Sequence, residues 1–205
     1  MQSFSEPLAN GVSSHLDALA LQLLEILKKE HVCQCEQEDM EDISQEDDDQ
    51  AEQDALVINA AADTISALST VMGPSFSVYF RKFFPLVAKY YKPSRPEVDR
   101  NMAIGAIAEA AAGLGSGVTE FTNDLVQLFV KGLRDAEEEV KSNAAYGIGI
   151  LCQNSATDLT RYDPNHLHTY ITVIICSFCN SCILSLNAAK RRLTSRTMHV
   201  ERSPA

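Results

Sequence analysis

The chain has no tryptophan, and aromatic residues make up only 7% of its 205 positions. Rich in alanine and leucine instead, it has the composition of helices. It also lacks a basic footprint. Acids outnumber bases by 28 to 17, which argues against general nucleic-acid binding. The opening residues MQSFSEPLAN carry neither a basic stretch nor an apolar run, so they are not read as a signal peptide. The six cysteines are not spaced as a disulfide framework and read as cytosolic thiols. No nucleophile motif, glycine-rich phosphate loop or recurring His–carboxylate pairing is present, so the chain is not read as an enzyme and no cofactor is expected.

What is present is a 45% hydrophobic chain, enough for most of it to fold and to bury about 70% of its unfolded surface. Its charge is uneven. Between Glu36 and Asp54 lie 11 acids and no base, and the remainder balances at 17 against 17. Periodic apolar positions predict a helix from His15 to His31, capped by Ser13 or Ser14, and a second from near Ala51 to Val71, stopped by Gly73-Pro74. Two more pairs follow. Ser75 to Tyr91, with a kink or a tightened middle expected at Pro85, precedes Glu97 to Leu114; Val118 to Leu133 precedes Glu137 to Asn154. The segment between the first two helices, 33–54, is too polar to offset its own ordering entropy and reads as a disordered acidic loop.

Shifting the chain by 42 residues lays Val98 on Val140, Asn101 on Asn143, Gly105 on Gly147, Tyr79 on Phe121, Leu86 on Leu128, Asn59 on Asn101 and Ile65 on Ile107. A period of about 40–47 residues with two helices per unit defines a HEAT/armadillo solenoid. The expected fold is therefore an all-α, right-handed solenoid of about three HEAT units spanning 12–158, with pairs at about 15–71, 75–114 and 118–154. Mid-helix Gly105 and Gly147 are read as places where a neighbouring backbone comes close, and Gly113, Gly115 and Gly117 as helix-terminating turns.

Three stretches resemble the karyopherin-beta (importin-beta) family of nuclear transport receptors: GPSFSVYFRKFFPLV (Gly73 to Val87), AIGAIAEAAAGLGSGVTEF (Ala103 to Phe121) and EEEVKSNAAYGIGILCQNSA (Glu137 to Ala156). The resemblance implies a HEAT superhelix that carries protein cargo through nuclear pores under control of the Ran GTPase. It further implies histone- or ribosomal-type basic cargo, contact with nucleoporins, and residence in cytoplasm and nucleus. No direct nucleic-acid or membrane partner is implied. The resemblance is expected to end near Tyr162, leaving 163–205 as a divergent tail with at most one further helix. The chain thus reads as a fragment or truncated isoform with an unrelated end.

Four constellations have competing readings. The acids Glu36, Glu38, Asp39, Glu41, Asp42, Glu46, Asp47, Asp48, Asp49, Glu52 and Asp54 form either a solvated spacer or a mobile anionic surface for basic cargo. Their spacing lacks the glycine a calcium loop needs. Asn59, Asn101 and Asn143 recur in phase, as a ladder bridging neighbouring helices or as part of a cargo-binding face. Cys176, Cys179 and Cys182, with His166 or His168, have the spacing of metal ligands, but they also share one apolar helix face, where cysteine is a small hydrophobe; no metal is expected there or at His31, Cys33 and Cys35. The uncharged stretch 164–189, followed by Lys190, Arg191 and Arg192, has the length of a membrane span, but its Asn, Ser, Thr and His residues dilute it.

Overall fold

A computed structural model describes residues 15–34 and 46–159. The acids Glu36 to Asp42, Cys35, and the expected tail with Cys176, Cys179, Cys182 and the Lys190–Arg192 run lie outside these residues. The described part is built of six α-helices in three pairs: α1 (Leu16–Lys28) with α2 (Glu46–Met72), α3 (Ser77–Ala88) with α4 (Glu97–Leu114), and α5 (Thr122–Gly132) with α6 (Glu138–Asn154). It contains no strand. The all-α solenoid expected from the 42-residue period is the fold found.

The helix ends differ from expectation for local reasons. Helix α1 stops at Lys28 because Lys29 turns left-handed, at φ 62°. The Glu30 N–H then reaches back to Glu25 O at 2.9 Å, which satisfies a carbonyl the helix end would otherwise orphan. Helix α2 starts at Glu46, earlier than Ala51, so part of the supposed disordered loop is helical. Residues 46–49 are Glu-Asp-Asp-Asp, the types that the positive end of a helix dipole favours. Helices α3 and α5 begin late, after 3₁₀ turns at Gly73–Phe76 and Gly115–Phe121. Pro85 stays within α3 on its exposed side, where the carbonyl it leaves unpaired can meet water.

The core lies between the layer of first helices and the layer of second helices. Phe76, Phe80, Phe83 and Phe129 are almost wholly buried there, against Ile104, Ile107, Leu114 and Ile148. At about 25 cal/mol per Å² of apolar surface, these side chains are the main stabilising element of the stack. Phe80 also meets Phe121 edge-on at 4.8 Å, joining the second unit to the third.

The layer of second helices is packed differently. α2 lies against α4, and α4 against α6, along most of their lengths, whereas α3 and α5 scarcely meet. The residues at the α2–α4 seam are small. Ser66 Oγ donates to Ala106 O at 3.1 Å, and Ser69 Oγ to Ala110 O at 2.6 Å. Gly113 belongs to this seam and is not a turn residue: a Cβ there would sit 2.5 Å from Thr70 N. Of the three glycines read as turns, only Gly115 adopts a positive φ, 53°.

The repeat register also departs from the sequence alignment. Buried positions of α2 (61, 62, 65, 68, 69) recur on α4 at 103, 104, 107, 110 and 111, a shift of 42. From α4 to α6 the buried set 104, 107, 108, 110 and 111 recurs at 144, 147, 148, 150 and 151, a shift of 40. The cause is a shorter connection. Lys89 to Pro96 links α3 to α4, but only Leu133 to Glu137 links α5 to α6. Val98 is consequently exposed while Val140 is fully buried, and Gly105 and Gly147 are not equivalent. Gly105 faces the side chain of Asn143. Gly147 faces the ring of Phe129, where a Cβ would stand 2.5 Å from Cζ, so the room it leaves serves an aromatic side chain and not a backbone.

Three glycines of different surroundings test this packing. Gly113→Ala should cost about 1–3 kcal/mol because the obstacle is backbone. Gly147→Leu should cost at least as much. Gly149, in the same helix with open space around its missing Cβ, should gain about 0.5–1 kcal/mol as alanine. Thermal unfolding followed by circular dichroism reads all three. A Gly113→Ala protein that melts at or above the parent temperature would contradict the close seam.

Candidate protein-binding surface

The surface begins with the second helices, whose exposed residues form one side of the stack. From Glu52 onward, α2, α4 and α6 carry eight acids and two bases; α1, α3 and α5 carry three acids and four bases. Both bases of the second-helix layer are engaged. Lys141 Nζ lies 2.6 Å from Glu138, and Arg100 is bound to Asp135. Asp63 and Glu109 are exposed at mid-helix with no ion-pair partner among the described residues. Leu56 and Val98, each 64% exposed, and Tyr146, 49% exposed, add apolar surface to the same helices.

A charged clamp holds this layer in register. Arg100 donates to Asp135 twice, from Nε at 3.0 Å and from Nη2 at 2.9 Å. Asp135 also accepts the Glu137 N–H at 3.1 Å and the Tyr91 hydroxyl. The side chains of the pair keep only 12% and 8% of their surface exposed. Hydrogen bonds from Arg100 hold the Asp135 carboxyl below its ordinary value, against burial, which pushes the other way. Burial first, then the adjacent Asp135 carboxylate, push the Tyr91 phenol up to about 12. Arg100 opens α4, Asp135 precedes α6 and Tyr91 follows α3, so the clamp ties the second unit to the third.

The structure separates the expected site residues. Asp54 is buried, and its carboxylate lies 2.9 Å from Lys29 Nζ. It is therefore a structural ion-pair partner that holds the end of α1 to α2, and not part of a mobile anionic chain. Glu52 is exposed on α2. Glu46, Asp47, Asp48 and Asp49 lie on the first turns of α2. Of the three asparagines, Asn143 Nδ2 donates to Asn101 Oδ1 at 2.7 Å, and Asn101 Nδ2 donates to Glu139 at 3.1 Å. Asn59 is not brought into this line. By the true register the residue of α4 that matches Asn143 is Ala103, which has no polar group to offer, and Ser66 and Ser69 bridge that seam instead. His31 Nδ1 lies 2.9 Å from Cys33 Sγ. No group of three metal-ligating side chains occurs among the described residues. Asp63, Glu109 and Tyr146 were not singled out from sequence. Their signal was available in the acid-rich, exposed positions of every second helix.

Asp135→Asn tests the clamp. A depressed folded value means that Asp135 contributes stability above the ordinary carboxylate range, near pH 4, and that this contribution is lost as pH falls through the depressed value. The variant should melt about 5–10 °C lower at pH 7, and the gap should narrow towards pH 3. A gap of the same size at both pH values would show that the carboxylate charge is not what stabilises the contact.

Stacked helix pairs with an acidic layer of second helices define a helical-repeat solenoid. The family described as importin subunit beta-1-like, TPR repeats, matches residues 48–181, and the chain belongs to it. Its 42-residue spacing is longer than the 34 residues or so of a TPR unit and falls in the HEAT range. Among curated proteins, "Probable importin subunit beta-4" of Schizosaccharomyces pombe is 42% identical over 146 residues, covering 67% of this chain and 13% of that protein. "Importin-4" of Mus musculus is 33% identical over 153 residues, 74% of this chain and 14% of that protein. "Importin-4" of Homo sapiens is 32% identical over 119 residues, 58% of this chain and 11% of that protein. The chain thus spans about an eighth of the length of these relatives. The family match runs to residue 181, past Tyr162, where the resemblance was expected to end. Importins are transport receptors and not enzymes.

Proposed function

We propose that this chain is a protein-binding segment of a nuclear import receptor that engages basic protein cargo of histone or ribosomal type. The observation that carries this reading is the placement of charge. The acids Glu46 to Glu52 lie on α2, those from Glu36 to Asp42 precede it in the sequence, and α2 belongs to the layer whose bases are already paired. A lysine- or arginine-rich partner would be drawn to that layer and not to the first-helix layer. Family membership supports transport through the nuclear pore, with Ran and nucleoporins as the further partners and both cytoplasm and nucleus as the places of action.

Replacing the acids from Glu36 to Glu52 by Gln and Asn, and leaving Asp54 in place, tests the reading. Binding of the full chain to a fluorescent core histone, followed by anisotropy, should weaken about tenfold at 0.15 M salt, with a flatter salt dependence. Unchanged affinity and unchanged slope would reject the electrostatic reading. Release of bound histone by GTP-loaded Ran separates a transport segment from a scaffold that merely holds proteins together.

A further inference from the structure

We infer that Cys33, paired with His31, is a reactive-thiol site open to oxidation by hydrogen peroxide. The pair stands on the short 3₁₀ turn Val32–Gln34 that follows α1. Cys33 is exposed, and its Sγ lies 2.9 Å from His31 Nδ1. The Cys33 backbone N–H points to the same nitrogen at 3.3 Å. A backbone N–H can only donate, so Nδ1 is the acceptor and carries no proton. The thiol lies within hydrogen-bond reach of the same nitrogen, which sets a base beside the sulfur of an accessible cysteine. That is the arrangement that turns a thiol into a nucleophile.

The turn is held in place and not merely adjacent in sequence. Gln34 N–H donates to His31 O at 2.9 Å, and the Gln34 side chain is buried. Neither the oxygen nor the nitrogen of its amide has a partner among the described residues.

The chemistry balances with peroxide as the sole co-reactant. His31 Nδ1 takes the thiol proton. The sulfur attacks one peroxide oxygen, the O–O bond breaks, and the departing hydroxide takes the proton from His31 and leaves as water. Sulfur loses two electrons, peroxide gains two, and Cys33 becomes a sulfenic acid. The product stands at the root of the acidic stretch, where a reversible change of size and polarity would lie between α1 and that stretch.

The reference is Cys33 itself in the same chain unfolded in urea, where the contact with His31 is lost. The folded and the unfolded full chain are treated with limiting iodoacetamide, and separately with hydrogen peroxide followed by a sulfenic-acid probe. Glutamyl endopeptidase digestion then yields a peptide holding Cys33, in which fragment masses separate it from Cys35. Cys33 should react about tenfold faster in the folded chain with both reagents, and His31→Gln should abolish the difference. Equal rates in the folded and the unfolded chain would overturn the inference. So would a Cys33 rate unaffected by His31→Gln in a protein that keeps its helical circular dichroism. The folded-to-unfolded ratio decides the matter even where the variant does not fold.

Discussion

The stack depends on how closely α2, α4 and α6 approach one another. Ser66 and Ser69 reach main-chain carbonyls on α4, and Gly113 leaves no space for even one carbon against the Thr70 backbone. Alanine occupies buried positions 103, 108, 110 and 111 of α4. On the other side of the core, phenylalanines hold the first helices away. Small residues on one side and large ones on the other make each unit a wedge, with the second helices at its thin edge. A chain that placed a leucine at a seam position would have to part the helices and give up both serine bonds.

That geometry also governs the electrostatics. Helices this close bring their side chains into one continuous surface, so an excess of acids on α2, α4 and α6 adds up to a field and not to scattered charges. The cations in the layer are spent on internal work: Arg100 fixes Asp135, and Lys141 pairs with Glu138. Lys29, at the end of α1, performs the same task with Asp54 in the first unit. Among the described residues the anions left over include Asp63 and Glu109, at the exposed middle of their helices. By spending these cations internally, the residues that keep the units in register also leave the layer net acidic.

Helix pairing and solenoid class could be read from the sequence because each helix has to bury a stripe against its partner, and a stripe leaves a period. The first two units could be aligned for the same reason. The third could not, because Asn101 with Asn143 and Gly105 with Gly147 match at 42 residues while the buried faces match at 40. Identity of residue type and identity of environment had separated, and only burial distinguishes them. Asp54 was misread through its company: a carboxylate among ten others looks solvated until Lys29 is found beside it. Gly113 was misread because a glycine two residues before another invites a turn, and nothing local reveals a neighbouring backbone. The clamp of Tyr91, Arg100 and Asp135 is assembled from three separate segments and leaves no linear signature.

The exchange of sizes between the layers has a further consequence. In the second unit Val87 and Ile107 line one small cavity, a modest residue facing a larger one. In the third unit Phe129 occupies the position of Val87, and Gly147 that of Ile107. The members of the two pairs cannot be traded. A helix moved from one unit to the other would set Phe against Ile, or Val against Gly, giving a clash in one case and a void in the other. The units are thus not interchangeable. Recombination within the repeat array would be penalised at this contact, and each unit is bound to its own place in the order of the chain.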